Sequence, residues 1–159
     1  MADQQSVTIK NLESAFAGES MAHIKYRYFA KICREQGDEA TAKIFEETAN
    51  QEVLHAFGHL DLLYPAAEMN PARCLEMAIE GETYEYTEMY PAFRHAAEAE
   101  KNEAAVKEID DQIAESKEHA ARFAATLEKA AKRFSALARV EERHANQYRK
   151  ALGALDQAK

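Results

Sequence analysis

Glycine and proline are scarce in this chain, five and three respectively among 159 residues. Turn-forming and helix-breaking residues are therefore confined to a few places. Ala, Glu, Lys, Leu and Arg are abundant, so helix is favoured nearly throughout. Cysteine is scarce too. Cys33 and Cys74 make neither a CxxC pair nor a disulfide framework, which fits a reducing compartment. There is no apolar run long enough to cross a bilayer, and the opening MADQQSVTIK is too polar for a signal peptide, so a cytoplasmic location is expected. Positive charge is in deficit: 20 Lys and Arg against 28 Asp and Glu leave a net −8. That balance argues against nucleic acid or an acidic membrane surface as a partner. The length suits one domain, 1–159, with a sizeable core.

The few breakers divide the chain. A first helix is expected from about Ser6 to Glu35, stopping at Gly37 and Asp38, and a second from about Glu39 to Leu63, stopping at Tyr64 and Pro65. A connection with Pro65, Asn70 and Pro71 leads to a third, beginning near Arg73 or Leu75 and passing through Glu85, Glu88 and Pro91. The last is expected to end near Leu152, before Gly153. This predicts an all-α fold, a four-helix bundle of two hairpins joined by a crossover. One region is too long for it. Glu88 and Glu141 are 53 positions apart, whereas Glu19 and Glu52 are 33 apart, so roughly 20 to 24 residues are surplus. We expect an extra helical segment, about 103–127, before the last helix. It would be an added helix, a lengthened hairpin or a segment exchanged with a second subunit. Asn102 or Ser116 would start it as N-cap.

Carboxylates interrupt the apolar stripes. The first helix reads Ile9, Leu12, Phe16, Glu19, His23, Tyr26, Ala30, Cys33, and the last reads Leu127, Ala130, Phe134, Leu137, Glu141, His144, Tyr148, Ala151. The second reads Phe45, Ala49, Glu52, Ala56, Leu60, Leu63, with His55 one turn from Glu52. Glu85 and Glu88 share a face of the third. As bare patterns these are weak. With 22 Glu and six His, chance alone yields about one Glu-x-x-His. His23, His59, His95 and His119 read as ordinary surface or core histidines.

Position on the stripe changes the reading. An ionised carboxylate in an apolar core costs several kcal/mol unless compensated. Five are expected to converge here, with no lysine or arginine on the same stripes. Two divalent cations bring +4 against −5 and two trivalent ones +6, near-neutral in both oxidation states. His55 and His144 add one nitrogen per metal, and hard oxygens with imidazole suit iron, with manganese or a mixed pair as alternatives. One Glu from each of two helices plus a Glu-x-x-His from each of the other two is the ligand set of ferritin-like dimetal bundles. The stretch EYTEMYP then makes sense: cations reconcile Glu85 with Glu88, and Pro91 loosens the helix beside them.

The stretches AFAGES, YRYF, FEETANQEVLHA, GETYEYTEMYPAF and FSALARVEERHANQY span all four expected helices, and they resemble rubrerythrins. The resemblance implies a non-haem di-iron centre with ligands Glu19, Glu52, His55, Glu85, Glu88, Glu141 and His144. It implies reduction of hydrogen peroxide to water in oxidative-stress defence, with Glu88 and His55 at the positions that trade places on one iron upon reduction. Tyr26 matches a tyrosine that hydrogen-bonds near the exchanging carboxylate. Rubrerythrins also carry a rubredoxin-like domain, absent before Lys159, so a separate rubredoxin-type donor is expected. A homodimer is expected, with the surplus segment at or near the contact; Glu115, Glu118 or His119 within it are further candidates for the site. Iron oxidation and storage, an oxygen-dependent oxidase and a metal-free helical module are the rival readings.

Overall fold

The computed structural model describes residues 6–156; residues 1–5 and 157–159, and the side chains of Ala151 and of 153–156, lie outside the description. The described residues are all helix and connection, and they form two compact units divided after Met69.

The first unit is a helical hairpin of α1 (Val7–Glu35) and α2 (Glu39–Leu63). Its turn needs a left-handed residue, and Gly37 supplies φ +84. Asp38 caps α2 by accepting the Thr41 N–H at 3.0 Å, a bond that holds its carboxyl below the usual range. Arg34 closes the hairpin by donating to both Glu39 and Glu46. Along the seam Ala42, Ala49 and Ala56 are buried at intervals of seven, with Ala30 opposite. Small residues every two turns let the two backbones approach closely. Tyr26, Phe29 and Phe45 form a ring cluster with centroids 5.5–6.4 Å apart.

The second unit opens with Asn70, which accepts the Arg73 N–H at 3.0 Å, and Pro71 in the first turn of α3 (Pro71–Tyr84). A π-helical turn, Glu85–Met89, leads into α4 (Tyr90–Ala99). Lys101, at φ 58, turns the chain, and Asn102 caps α5 (Glu103–Asp156) by accepting the Ala105 N–H. The N-terminal half of α5 packs on α3, the π-turn and α4, burying Ala97, Ser116 and Ala120. Arg94 ties α4 to α5 through Asp110.

Two boundaries differ from expectation. The surplus segment is not a separate helix. It and the last helix are one α-helix of 54 residues, and it runs through Gly153 instead of stopping there. No Gly or Pro stands between Glu103 and Leu152 to break it, and one glycine costs only about 1 kcal/mol in a helix. Ser116 starts no helix; it lies inside the N-terminal half of α5. The far half of α5 leaves Phe134, Leu137, Tyr148 and Leu152 exposed. Each such side chain forgoes about 1.5–3 kcal/mol of burial.

Candidate metal centre

In the hairpin unit, Glu19 from α1 meets Glu52 and His55 from α2. One ligand atom from each lies within 4.8 Å of the others. His55 Nδ1 is 2.9 Å from Glu52 Oε2 and 4.0 Å from Glu19 Oε2. Glu52 and His55 share a face because they are three residues apart, and the alanine seam brings α1 close enough to add Glu19. Both carboxylates are partly withdrawn from solvent. Among the described residues no Lys or Arg pairs with Glu19, Glu52, Glu85, Glu88 or Glu141. Two unpaired carboxylates and an imidazole at this spacing suit a hard divalent cation.

His23, on the same helix as Glu19, is an ordinary histidine. Its Nδ1 is 2.7 Å from the Ala49 carbonyl and its Nε2 accepts from Arg27. With both ring nitrogens engaged, neither is left free as a ligand atom. Tyr26 packs its ring on Phe29 and Phe45.

In the second unit the π-turn covers EYTEM and carries Glu85 and Glu88. The Tyr90 N–H reaches back five residues to the Glu85 carbonyl. The wider turn is a response to Pro91, which has no N–H to give and whose ring crowds the carbonyl four residues earlier. Ser116 Oγ donates to Glu85 Oε2 at 2.9 Å, while Glu88 is exposed. His119 Nδ1 lies 3.3 Å from Glu82. Burial, reinforced by Glu85 and Glu82, pushes the Tyr90 hydroxyl up.

Within the second unit, Glu141 and His144 stand apart from Glu85 and Glu88. They face each other at 3.8 Å on the far half of α5, and the Glu141 side chain is 76% exposed. Ser116, which touches Glu85, lies 25 residues earlier in the same helix. At 1.5 Å per residue that is about 37 Å. Glu85 and Glu141 therefore do not converge inside a single copy, because α5 does not fold back.

A signal for this was present in the chain and passes unnoticed in a search for stripes alone. Residues 103–127 and 128–152 correspond at an offset of 25. Glu103, Ala105, Lys107, His119, Ala120 and Leu127 recur as Glu128, Ala130, Lys132, His144, Ala145 and Leu152, and Phe123 as Tyr148. Twenty-five residues fall only about 20° short of seven helical turns, so both copies present one face. In the first copy Ser116, which is buried, stands where the second has Glu141, while Glu115, Glu118 and His119 around it are exposed.

Residues 10–127 match the family described as Rubrerythrin. The chain belongs to the rubrerythrin family. Membership agrees with the all-α, ferritin-like fold read from the sequence. The match ends at Leu127, so the second copy in α5, with Glu141 and His144, lies beyond it. The chain is 42% identical over 115 residues to nigerythrin of Nitratidesulfovibrio vulgaris, an alignment covering 62% of this chain and 55% of that one. It is 40% identical to rubrerythrin of Porphyromonas gingivalis over 106 residues, 60% and 53% of the two chains. Rubrerythrin-1 of Clostridium acetobutylicum is 31% identical over 135 residues, 76% and 69% of the two chains. The alignments to the first two span little more than half of those relatives' length. A mixed-valence nigerythrin structure aligns at a TM-score of 0.40 and 35% identity, covering 82% of this chain and 72% of that one. Among the described residues no helix is long and apolar enough to cross a membrane.

Proposed function

We propose that the chain is a peroxide reductase of the rubrerythrin type, with ligands Glu19, Glu52, His55, Glu85, Glu88, Glu141 and His144. The observation that carries this reading is the meeting of Glu19, Glu52 and His55 with, among the described residues, no Lys or Arg paired to the carboxylates. Two iron ions held by these groups would supply the electron pair that, with two protons, converts one hydrogen peroxide into two waters. The protein's share is positioning and proton delivery. Glu52 accepts from His55 Nδ1 and so orients the ring; releasing that bond frees the nitrogen to bind metal. Glu88 is exposed and sits on the widened turn, so it is free to swing and to carry a proton to the leaving oxygen. Tyr26, held by its ring contacts, is proposed to steady that carboxylate through its hydroxyl. A cytoplasmic site and a separate rubredoxin-type electron donor complete the reading.

Anaerobic reduction followed by stopped-flow mixing tests it. The reduced protein is expected to oxidise much faster with peroxide than with oxygen, and to turn over with NADH only when a rubredoxin-type donor and its reductase are added. Equal rates with the two oxidants would favour an oxidase or an iron-oxidising protein.

A further inference from the structure

We propose that each metal centre is shared between two copies of the chain, with Glu141 and His144 of one copy joining Glu85 and Glu88 of the other. The inference rests on the ligand reading above and adds which chain each ligand comes from.

Three observations carry it. Glu85 is held at the level of Ser116, and Glu141 lies about 37 Å further along the same continuous helix, so one copy cannot bring both to one metal. Within the chain the place opposite Glu85 is filled by a serine hydroxyl, which leaves that carboxylate without its glutamate counterpart, while Glu88 stays exposed. The far half of α5 carries a ligand pair and exposes Phe134, Leu137, Tyr148 and Leu152, on which nothing in its own unit packs.

The continuous helix keeps the arm away from its own Glu85, and charge fits it to the same region of a second copy. Residues 128–152 hold seven Lys and Arg against three Glu, a net +4, whereas residues 70–127 hold six against 13, a net −7. A basic arm bearing two ligands matches an acidic body that lacks them. Because the exchange is mutual, two arms complete two centres and the assembly closes with two-fold symmetry.

Two variants, Glu85→Ala and Glu141→Ala, test the sharing. Each is expected to lose metal as a homodimer. Co-expressed with different tags and purified through both, the mixed pair contains one doubly damaged centre and one with every ligand intact. Its metal content is therefore expected to recover to about half that of the wild type. A mixed pair no richer in metal than its parents overturns the sharing while leaving the ligand reading in place; so does failure to recover any mixed pair. Full metal in both homodimers overturns the ligand reading, and the sharing with it. Sedimentation of the wild-type protein gives a second readout, independent of the variants: metal is expected only in the dimer. A fully loaded monomer would overturn the proposal.

Discussion

Ser116 Oγ donates to Glu85 Oε2 at 2.9 Å, putting a hydroxyl where the second copy in the same helix has the carboxylate of Glu141. His119, three residues on, corresponds to His144. The first copy in α5 thus has the histidine of a Glu-x-x-His pair without its glutamate. Replacing Ser116 by Glu restores the pair beside Glu85. In a Glu141→Ala background, Ser116→Glu is expected to recover metal without a partner's arm, as counted by elemental analysis of the monomeric fraction. Without metal the same change sets two carboxylates against each other in a partly buried place, so the metal-free protein is expected to melt earlier.

Removing residues 103–127 deletes 25 positions and preserves helical register. Asn102 then precedes Glu128 as it now precedes Glu103, and Glu141 and His144 arrive where Ser116 and His119 stand. The shortened chain is expected to bind metal as a monomer, seen by sedimentation with metal analysis. A deletion of 24 residues turns the arm by about 100° and is expected to bind poorly.

Glu52 touches His55 and shares the close cluster with Glu19. We expect two metal ions per wild-type chain and the loss of at least one in Glu52→Ala. Full occupancy in that variant would remove the hairpin from the site.

Pro91 is the reason the backbone widens at Glu85–Met89. Pro91→Ala gives position 91 an N–H and lets the turn tighten to an α-helix. The metal-free protein is expected to gain stability, by at most the ~3 kcal/mol that an interior proline costs. Tightening rotates Glu85 and Glu88 apart from their present directions, so metal affinity is expected to fall. Calorimetry and competitive chelation measure the two effects.

Arg34 holds the carboxyls of Glu39 and Glu46 below the usual glutamate range by donating to both. Depressed carboxylates stabilise the folded form above their unfolded pKa, about 4.3, and lose that contribution as pH falls through the lower folded values. Arg34 and Glu39 are exposed and Glu46 is only half-buried, so the effect is small. Thermal melts of wild type and Arg34→Ala should differ slightly at neutral pH and converge well below pH 4.

The two α1 and α2 boundaries were legible because local chemistry sets them. Gly37 adopts the left-handed turn, Asp38 caps, and Pro65 forbids continuation of α2. Pro91 likewise announced a backbone irregularity, and spacing alone placed Glu52 beside His55 and Glu85 near Glu88. These are contacts within a turn or two, where the chain's own geometry leaves little choice. The partner of Glu85 was not legible in that way. Two segments, 103–127 and 128–152, present the same face with the same histidine, and either can lie against α3 as far as periodicity tells. Packing chose the first, because Asn102 caps α5 immediately after the Lys101 turn and Asp110 then meets Arg94. With no breaker to reverse the chain afterwards, helix continuity carried Glu141 away. The sequence determined which residues are ligand-like and on which face of each helix they stand. Only the tertiary structure decided which of them one copy brings together, because that depends on where a helix of 54 residues ends and not on what any turn of it contains.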